Sequence, residues 1–111
     1  MKRGQVVVYA GLGDYGKARP ALIVQSDVFN ETHASVVVCP ITSDLTDTEF
    51  FRPTIEPSKS NGLKRRSQAM VDKVTAVRRD RIAKSIGRLT AAELIRVDRA
   101  LRIWLDLDLV N

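Results

Sequence analysis

Two short segments carry the side chains best suited to hold a phosphate. Lys17-Ala18-Arg19-Pro20 puts an arginine immediately before a proline. An arginine stays charged at physiological pH and presents a planar fork of donors that fits phosphate oxygens. The proline fixes its own φ and biases the preceding residue toward extended backbone, so Arg19 stands at a defined junction where a loop enters a strand. A surface arginine in an ordinary salt bridge would leave the same trace. Pro40-Ile41-Thr42-Ser43 offers two hydroxyls after a proline. They could orient a phosphate or a ribose hydroxyl, although Ser/Thr pairs also mark plain strand-to-loop transitions. Between Leu63 and Leu89 lie nine basic residues and two acidic ones, Asp72 and Asp80. Lys64-Arg65-Arg66 and Arg78-Arg79-Asp80-Arg81 are the dense clusters. Such a stripe attracts phosphates, and it equally suits an acidic protein segment or a solvated face.

Other chemistries lack their residues. There is no HExxH, Walker loop, GxSxG or cysteine pair. Gly11-Leu12-Gly13-Asp14-Tyr15-Gly16 has the form of GxGxxG, but a dinucleotide fold needs a longer βαβ array than 111 residues hold. His33 is the only histidine, which rules out a two-histidine ribonuclease mechanism within one chain; a lone loop histidine reads as solvated. Cys39 is the only cysteine and sits in Val36-Val37-Val38-Cys39, so a buried strand residue is expected rather than a disulfide or a metal ligand. No metal and no cofactor are expected.

The length predicts one domain over residues 1–111. Eighteen basic residues against 13 acidic ones give a formal charge of +5, which favours a polyanionic partner such as nucleic acid. Met1-Lys2-Arg3-Gly4-Gln5 opens no apolar signal region, and no stretch approaches the ~20 residues a membrane helix needs. A cytoplasmic protein that makes no membrane contact is expected.

The first half must supply strands. Gln5–Ala10, Ala21–Gln25 and Ser35–Cys39 are apolar, β-branched runs, the third ended by Pro40; residues 11–16 form a glycine-rich loop between the first two. Phe50–Ile55 could form a short strand, edged or interrupted by Pro53. Pro57-Ser58-Lys59-Ser60-Asn61-Gly62 is a loop with a strong Asn-Gly turn signal, and Ser67–Val77 is the next strand candidate, its core face undecided. Thr90-Ala91-Ala92-Glu93 is a capping box, and Leu94, Val97, Leu101, Trp104 and Leu105 follow it at helical spacing. This predicts one amphipathic helix laid on a sheet or barrel, with Trp104 as a core anchor. The expected architecture is mainly β: a small barrel with a C-terminal helix.

Six segments, in order, resemble the MazF/PemK/Kid toxins of bacterial toxin–antitoxin pairs. They are Arg3-Gly4-Gln5-Val6-Val7-Val8; Lys17-Ala18-Arg19-Pro20-Ala21-Leu22-Ile23-Val24; Gln25-Ser26-Asp27-Val28-Phe29-Asn30; Val37-Val38-Cys39-Pro40-Ile41-Thr42-Ser43; Met70-Val71-Asp72-Lys73-Val74-Thr75-Ala76-Val77; and Ile86-Gly87-Arg88-Leu89. The resemblance implies an SH3-like barrel of the CcdB/MazF-like toxin fold, a homodimer, and metal-independent cleavage of single-stranded RNA at short sequences. It also implies an antitoxin of the MazE/PemI kind whose acidic disordered segment occupies the RNA groove. Carried over residue by residue, Arg19 and Thr42 match the catalytic pair; Lys17, Ser43 and Asp72 match or neighbour substrate-contacting positions.

The implied reaction is attack of a ribose 2′-hydroxyl on the adjacent phosphorus, leaving a 2′,3′-cyclic phosphate and a 5′-hydroxyl. Arg19 would stabilise the transition-state charge and Thr42 would hydrogen-bond a phosphate oxygen. Met70 stands where some relatives carry a basic residue, Lys73 replaces the usual glutamine after Asp72, and the loop before Lys17 is short. The rival class is a CcdB-like gyrase poison, which shares the barrel and helix but lacks the Arg-Pro and Pro-x-Thr set. A non-catalytic RNA-binding barrel is the third reading.

Overall fold

The computed structural model describes residues 1–10 and 17–107. The expected glycine loop over residues 11–16 lies outside the described residues. Among the described residues there are seven strands: β1 Gln5–Ala10, β2 Ala18–Ile23, β3 Ser35–Thr42, β4 Thr54–Ile55, β5 Ser67–Ala69, β6 Thr75–Arg78 and β7 Ile82–Arg88. A short helix α1, Asp27–Asn30, follows β2, and α2, Ala91–Trp104, closes the order. The strands form one curled antiparallel sheet in the order β4-β5-β3-β2-β1-β7, with β6 also on β3. Among the described residues no helix is long and apolar enough to cross a membrane.

Strand alternation sorts the side chains into two layers. Val6, Leu22 and Cys39 stand in register across β1, β2 and β3 and pack toward α2 with Val97 and Ala100. The intervening positions, Val7, Ala21, Ile23, Val36 and Val38, form a second buried cluster with Tyr9 on the opposite face. Both faces of β1–β3 are thus covered, which is why these strands read as continuous apolar runs rather than alternating ones. Cys39 is wholly buried, and burial pushes its thiol up to about 12, so it is a packed thiol and not a nucleophile at neutral pH.

Three expectations need correction, and one strand leaves no pattern in the sequence. Pro40 does not end the third strand, which runs on to Thr42. Pro40 sits where the far edge of β3 changes partner, from β6 at Val38 to β5 at Ile41, so its missing N–H disturbs little while its carbonyl accepts from Met70 N at 2.8 Å. The Ser67–Val77 candidate is one strand broken in two. Between the Ile41–Ala69 pair and the Val38–Thr75 pair, β3 moves three residues and its partner six, so a 3-10 turn, Val71–Lys73, is looped out. β7 went unread. It is a polar strand at the end of the sheet, and two register shifts against β1 blur its alternation. Trp104 is 47% exposed, not a core anchor. α2 starts at its capping box and buries Val97 and Ala100, but every residue from Arg102 to Leu107 is exposed. Trp104 instead lays its ring against Phe51, with centroids 5.4 Å apart.

The two ends of the sheet are not joined by a strand ladder among the described residues. The segment between β4 and β5 docks on β7 instead: Arg88 N donates to the Ser60 carbonyl at 2.8 Å, and Ser60 Oγ to the Arg88 carbonyl at 3.0 Å. Gly62 has φ +70, and a Cβ there would stand 2.0 Å from the Ile86 carbonyl oxygen. Only glycine permits that approach.

Candidate active site

Arg19 and Thr42 come from neighbouring strands. β2 and β3 pair Ile23 with Val38, Leu22 with Cys39 and Ala21 with Pro40. That ladder ends at Ala21–Pro40, and Arg19 and Thr42 each lie two residues past it on these adjacent strands. Both line one cleft of about 320 Å³. Lys17 and Ser43 line it too, as do Leu63, Lys64 and Arg65 from the segment that closes the sheet. Four of the five residues singled out in the sequence therefore meet in one place. The basic cluster at residues 64–66 contributes two more cations, and among the described residues no carboxylate lines the cleft.

Each wall is held by buried polar groups. Asn61 is fully buried; its Nδ2 donates to the Glu56 carbonyl at 2.8 Å, and its Oδ1 accepts from Ser58 N and Leu63 N. This fastens the chain just before Leu63 and Lys64. Behind Thr42 lies Gln68, its partner in the β3–β5 ladder, 3% exposed. Gln68 accepts from Thr46 N at 3.0 Å and donates to the Thr46 carbonyl at 2.8 Å, so the chain leaving Thr42 is pinned on both backbone groups. Sequence reading missed Gln68. A glutamine in a strand candidate signals nothing until its register opposite Thr42 is known.

Thr42 itself is oriented. Its Oγ1 accepts from Asp44 N at 3.0 Å. A hydroxyl has one donor and two acceptor lone pairs, so this bond leaves the hydroxyl hydrogen to be given to an oxygen in the cleft. Arg19 stands exposed at the start of β2. An exposed guanidinium beside an oriented hydroxyl, ringed by lysine and arginine, is a phosphate-binding arrangement.

Asp72 is elsewhere. The 3-10 turn carries it out of the ladder toward Arg52, which binds both carboxylate oxygens, Nε at 2.8 Å and Nη2 at 2.9 Å. Both side chains are only 16% exposed. The Arg52 hydrogen bond holds the Asp72 carboxyl below the usual carboxylate range, and the same pair raises Arg52. Asp72 does not line the cleft of Arg19 and Thr42. His33 is exposed, and its carbonyl accepts from Arg79 Nε at 3.0 Å. Among the described residues no three of His, Cys, Asp or Glu are grouped to hold a metal ion.

Fold and site define a small β protein with a C-terminal helix and a cationic cleft at the ends of two paired strands. The family model for the PemK-like, MazF-like toxin of type II toxin–antitoxin systems matches residues 2–105, and the chain belongs to that family. It is 44% identical over 106 residues to a probable endoribonuclease MazF of Mycolicibacterium smegmatis, covering 95% of this chain and 96% of that protein. It is 27% identical to the endoribonuclease EndoA of Bacillus subtilis, over 96% of each chain. Among solved structures, an endoribonuclease in complex with its cognate antitoxin from a mycobacterial species superposes with a TM-score of 0.83 at 26% identity, covering 99% of both chains. A MazE–MazF structure from Deinococcus radiodurans shares the fold, with a TM-score of 0.81 at 22% identity over 97% of each chain.

Proposed function

We propose that this toxin is an endoribonuclease that cuts single-stranded RNA in the Arg19–Thr42 cleft, with the substrate's own 2′-hydroxyl as the nucleophile. One observation carries the reading. Arg19 and an oriented Thr42 hydroxyl, from adjacent strands, line one cleft whose described lining holds four cations and no acid. In the reaction, the 2′-oxygen gives up its proton and bonds to phosphorus, the bond from phosphorus to the 5′-oxygen breaks, and that oxygen takes up a proton. Negative charge gathers on the non-bridging oxygens in between. Arg19 stabilises that charge, and Thr42 donates its hydroxyl hydrogen to one of the same oxygens. Lys17 and Ser43 hold the strand at the rim. The 2′-hydroxyl must swing in line with the breaking bond, which an unpaired strand allows and a duplex resists.

Asp72 serves the site as a support rather than as a direct contact. Its grip on Arg52 fixes the segment that follows Thr42 and Ser43. A homodimer and a cognate antitoxin complete the reading. An acidic, disordered antitoxin segment would neutralise the same cations that attract RNA, which makes inhibition competitive. Messenger RNA as substrate sets the work in the cytoplasm.

The test is incubation of the purified protein with a long single-stranded RNA in EDTA, followed by mapping of the new 5′ ends. Expected are discrete cuts bearing 5′-hydroxyls, with 2′,3′-cyclic phosphates on the other side. RNA left whole by a protein that traps gyrase on DNA would instead establish the CcdB-like poison. RNA bound but never cut would establish the non-catalytic barrel.

A further inference from the structure

The cleft that holds Arg19 continues past it. A second hollow of about 340 Å³ adjoins it and shares Arg19, Pro20, Leu63 and Lys64 with it. The ladder explains the direction: Val8 of β1 pairs with Pro20 of β2 on one side and with Lys84 of β7 on the other. The hollow therefore runs away from Thr42 across three neighbouring strands. Its floor is aliphatic and half-buried, made of Val8, Pro20, Leu63 and Ile86. Its rim carries Lys64 and Lys84, both exposed, and among the described residues no carboxylate. Among the described residues neither lysine is in an ion pair, whereas Arg3, Arg52, Arg66, Arg78 and Arg96 each have a carboxylate partner.

An apolar floor between two uncompensated ammonium groups fits one nucleotide of a single strand. The base covers the aliphatic surface, and its phosphate meets the lysines as point charges. We propose that this hollow is a flanking subsite, which takes the nucleotide next along the strand from the phosphate held by Arg19. The inference rests on Arg19 marking the reaction centre. The floor side chains carry no hydrogen-bonding atoms, so the subsite reads the backbone and not the identity of the base. It raises affinity for strands long enough to reach it and does not choose where they are cut.

The test uses RNA oligonucleotides that share one cut site and grow by single nucleotides on either side. Wild type, Lys84→Glu and a control reversal on the exposed end of α2, Arg102→Glu, are compared after their thermal midpoints are matched. In the wild type and in Arg102→Glu, KM falls when the strand becomes long enough to reach the hollow. In Lys84→Glu that gain is lost: KM on the longest strand rises roughly fivefold, kcat is kept, and the slope of log affinity against log salt shrinks by about 0.7. The ranking of cut sequences stays the same. A Lys84→Glu protein that matches the control at every length overturns the subsite. So does an equal loss of kcat on short and long strands, which would move Lys84 into the reaction centre, or a change in the sequence cut. Fluorescence anisotropy of the same strands separates the two readings. Strands that bind with the expected length dependence but are never cut would overturn the role of Arg19 and leave the subsite standing.

Discussion

Two hollows, one beside Thr42 and one between residues 47–53 and α2, differ in size and, more tellingly, in charge. The larger, about 520 Å³, runs between residues 47–53 and α2 and is lined by Asp47, Glu49, Arg96 and Arg99 among apolar groups. Its charges answer one another: Arg96 Nη2 sits 2.6 Å from Glu49 Oε2. Partial burial pushes Glu49 up, but hydrogen bonds from Thr54 and Arg96 outweigh it and hold the carboxyl below its ordinary range. The smaller hollow, about 320 Å³, gathers Lys17, Arg19, Lys64 and Arg65, with no acid among its described lining. Cations gathered in one place repel one another, at a cost to folding that a polyanionic ligand relieves. The larger hollow mixes both signs, whereas the described lining of the smaller carries only cations, which suits a phosphate.

Substitutions in the two hollows should separate them sharply. Arg19→Ala removes the group that meets the developing charge, and kcat for RNA cleavage is expected to fall by about 10²–10³-fold with the fold intact. Thr42→Val keeps the shape and removes one neutral hydrogen bond, for a loss of roughly tenfold in single-turnover rate. Asp72→Asn breaks the paired charge behind the site. Chemical denaturation should show a loss of about 2 kcal/mol, with cleavage reduced less than in either cleft variant. Arg96→Ala in the larger groove is the smallest change: an exposed ion pair contributes less than about 1 kcal/mol, and cleavage should stay within about twofold of wild type. An Arg96→Ala protein that loses cleavage while Arg19→Ala keeps it would reverse the comparison.

The Arg52–Asp72 pair also gives the stability a pH signature. The folded state holds the Asp72 carboxyl below its unfolded value of about 3.9. The stabilisation is therefore present above that value and is lost as pH falls through the lower, folded value. Thermal midpoints of the wild type should drop more steeply below about pH 4 than those of Asp72→Asn, in which this carboxyl no longer titrates.

The parts of the fold visible in the sequence are those where one local rule decides. The capping box at Thr90 and Glu93 starts α2 where it was read, and the β-branched run at Gln5–Ala10 is β1 to the residue. Errors cluster where a tertiary partner overrides the local rule. Pro40 is tolerated inside β3 because the neighbour across its edge changes there. β7 lacks an apolar pattern because it pairs on one edge and slips register twice. Trp104 follows the apolar row of α2, but the last turn of the helix extends beyond the core. The site shows the same division. Arg19 and Thr42 were each legible as phosphate contacts, but 23 positions separate them in the sequence, and only the pairing of β2 with β3 brings them to one cleft. Gln68 and Asn61, which hold the two walls, act through bonds to backbone that no motif marks. Asp72 was legible as a motif residue, and its commitment to Arg52 was not.

The central claim is that the strand supplies its own nucleophile while Arg19 and Thr42 stabilise what forms. A single 2′-deoxy nucleotide placed on the 5′ side of the cut phosphate, in an otherwise all-ribose strand, tests it most directly. The modified strand should compete with unmodified RNA for the protein and yet stay whole at that linkage, with cuts at other sites unaffected. Cleavage at the deoxy linkage at a rate comparable to that of the all-ribose strand would contradict the mechanism.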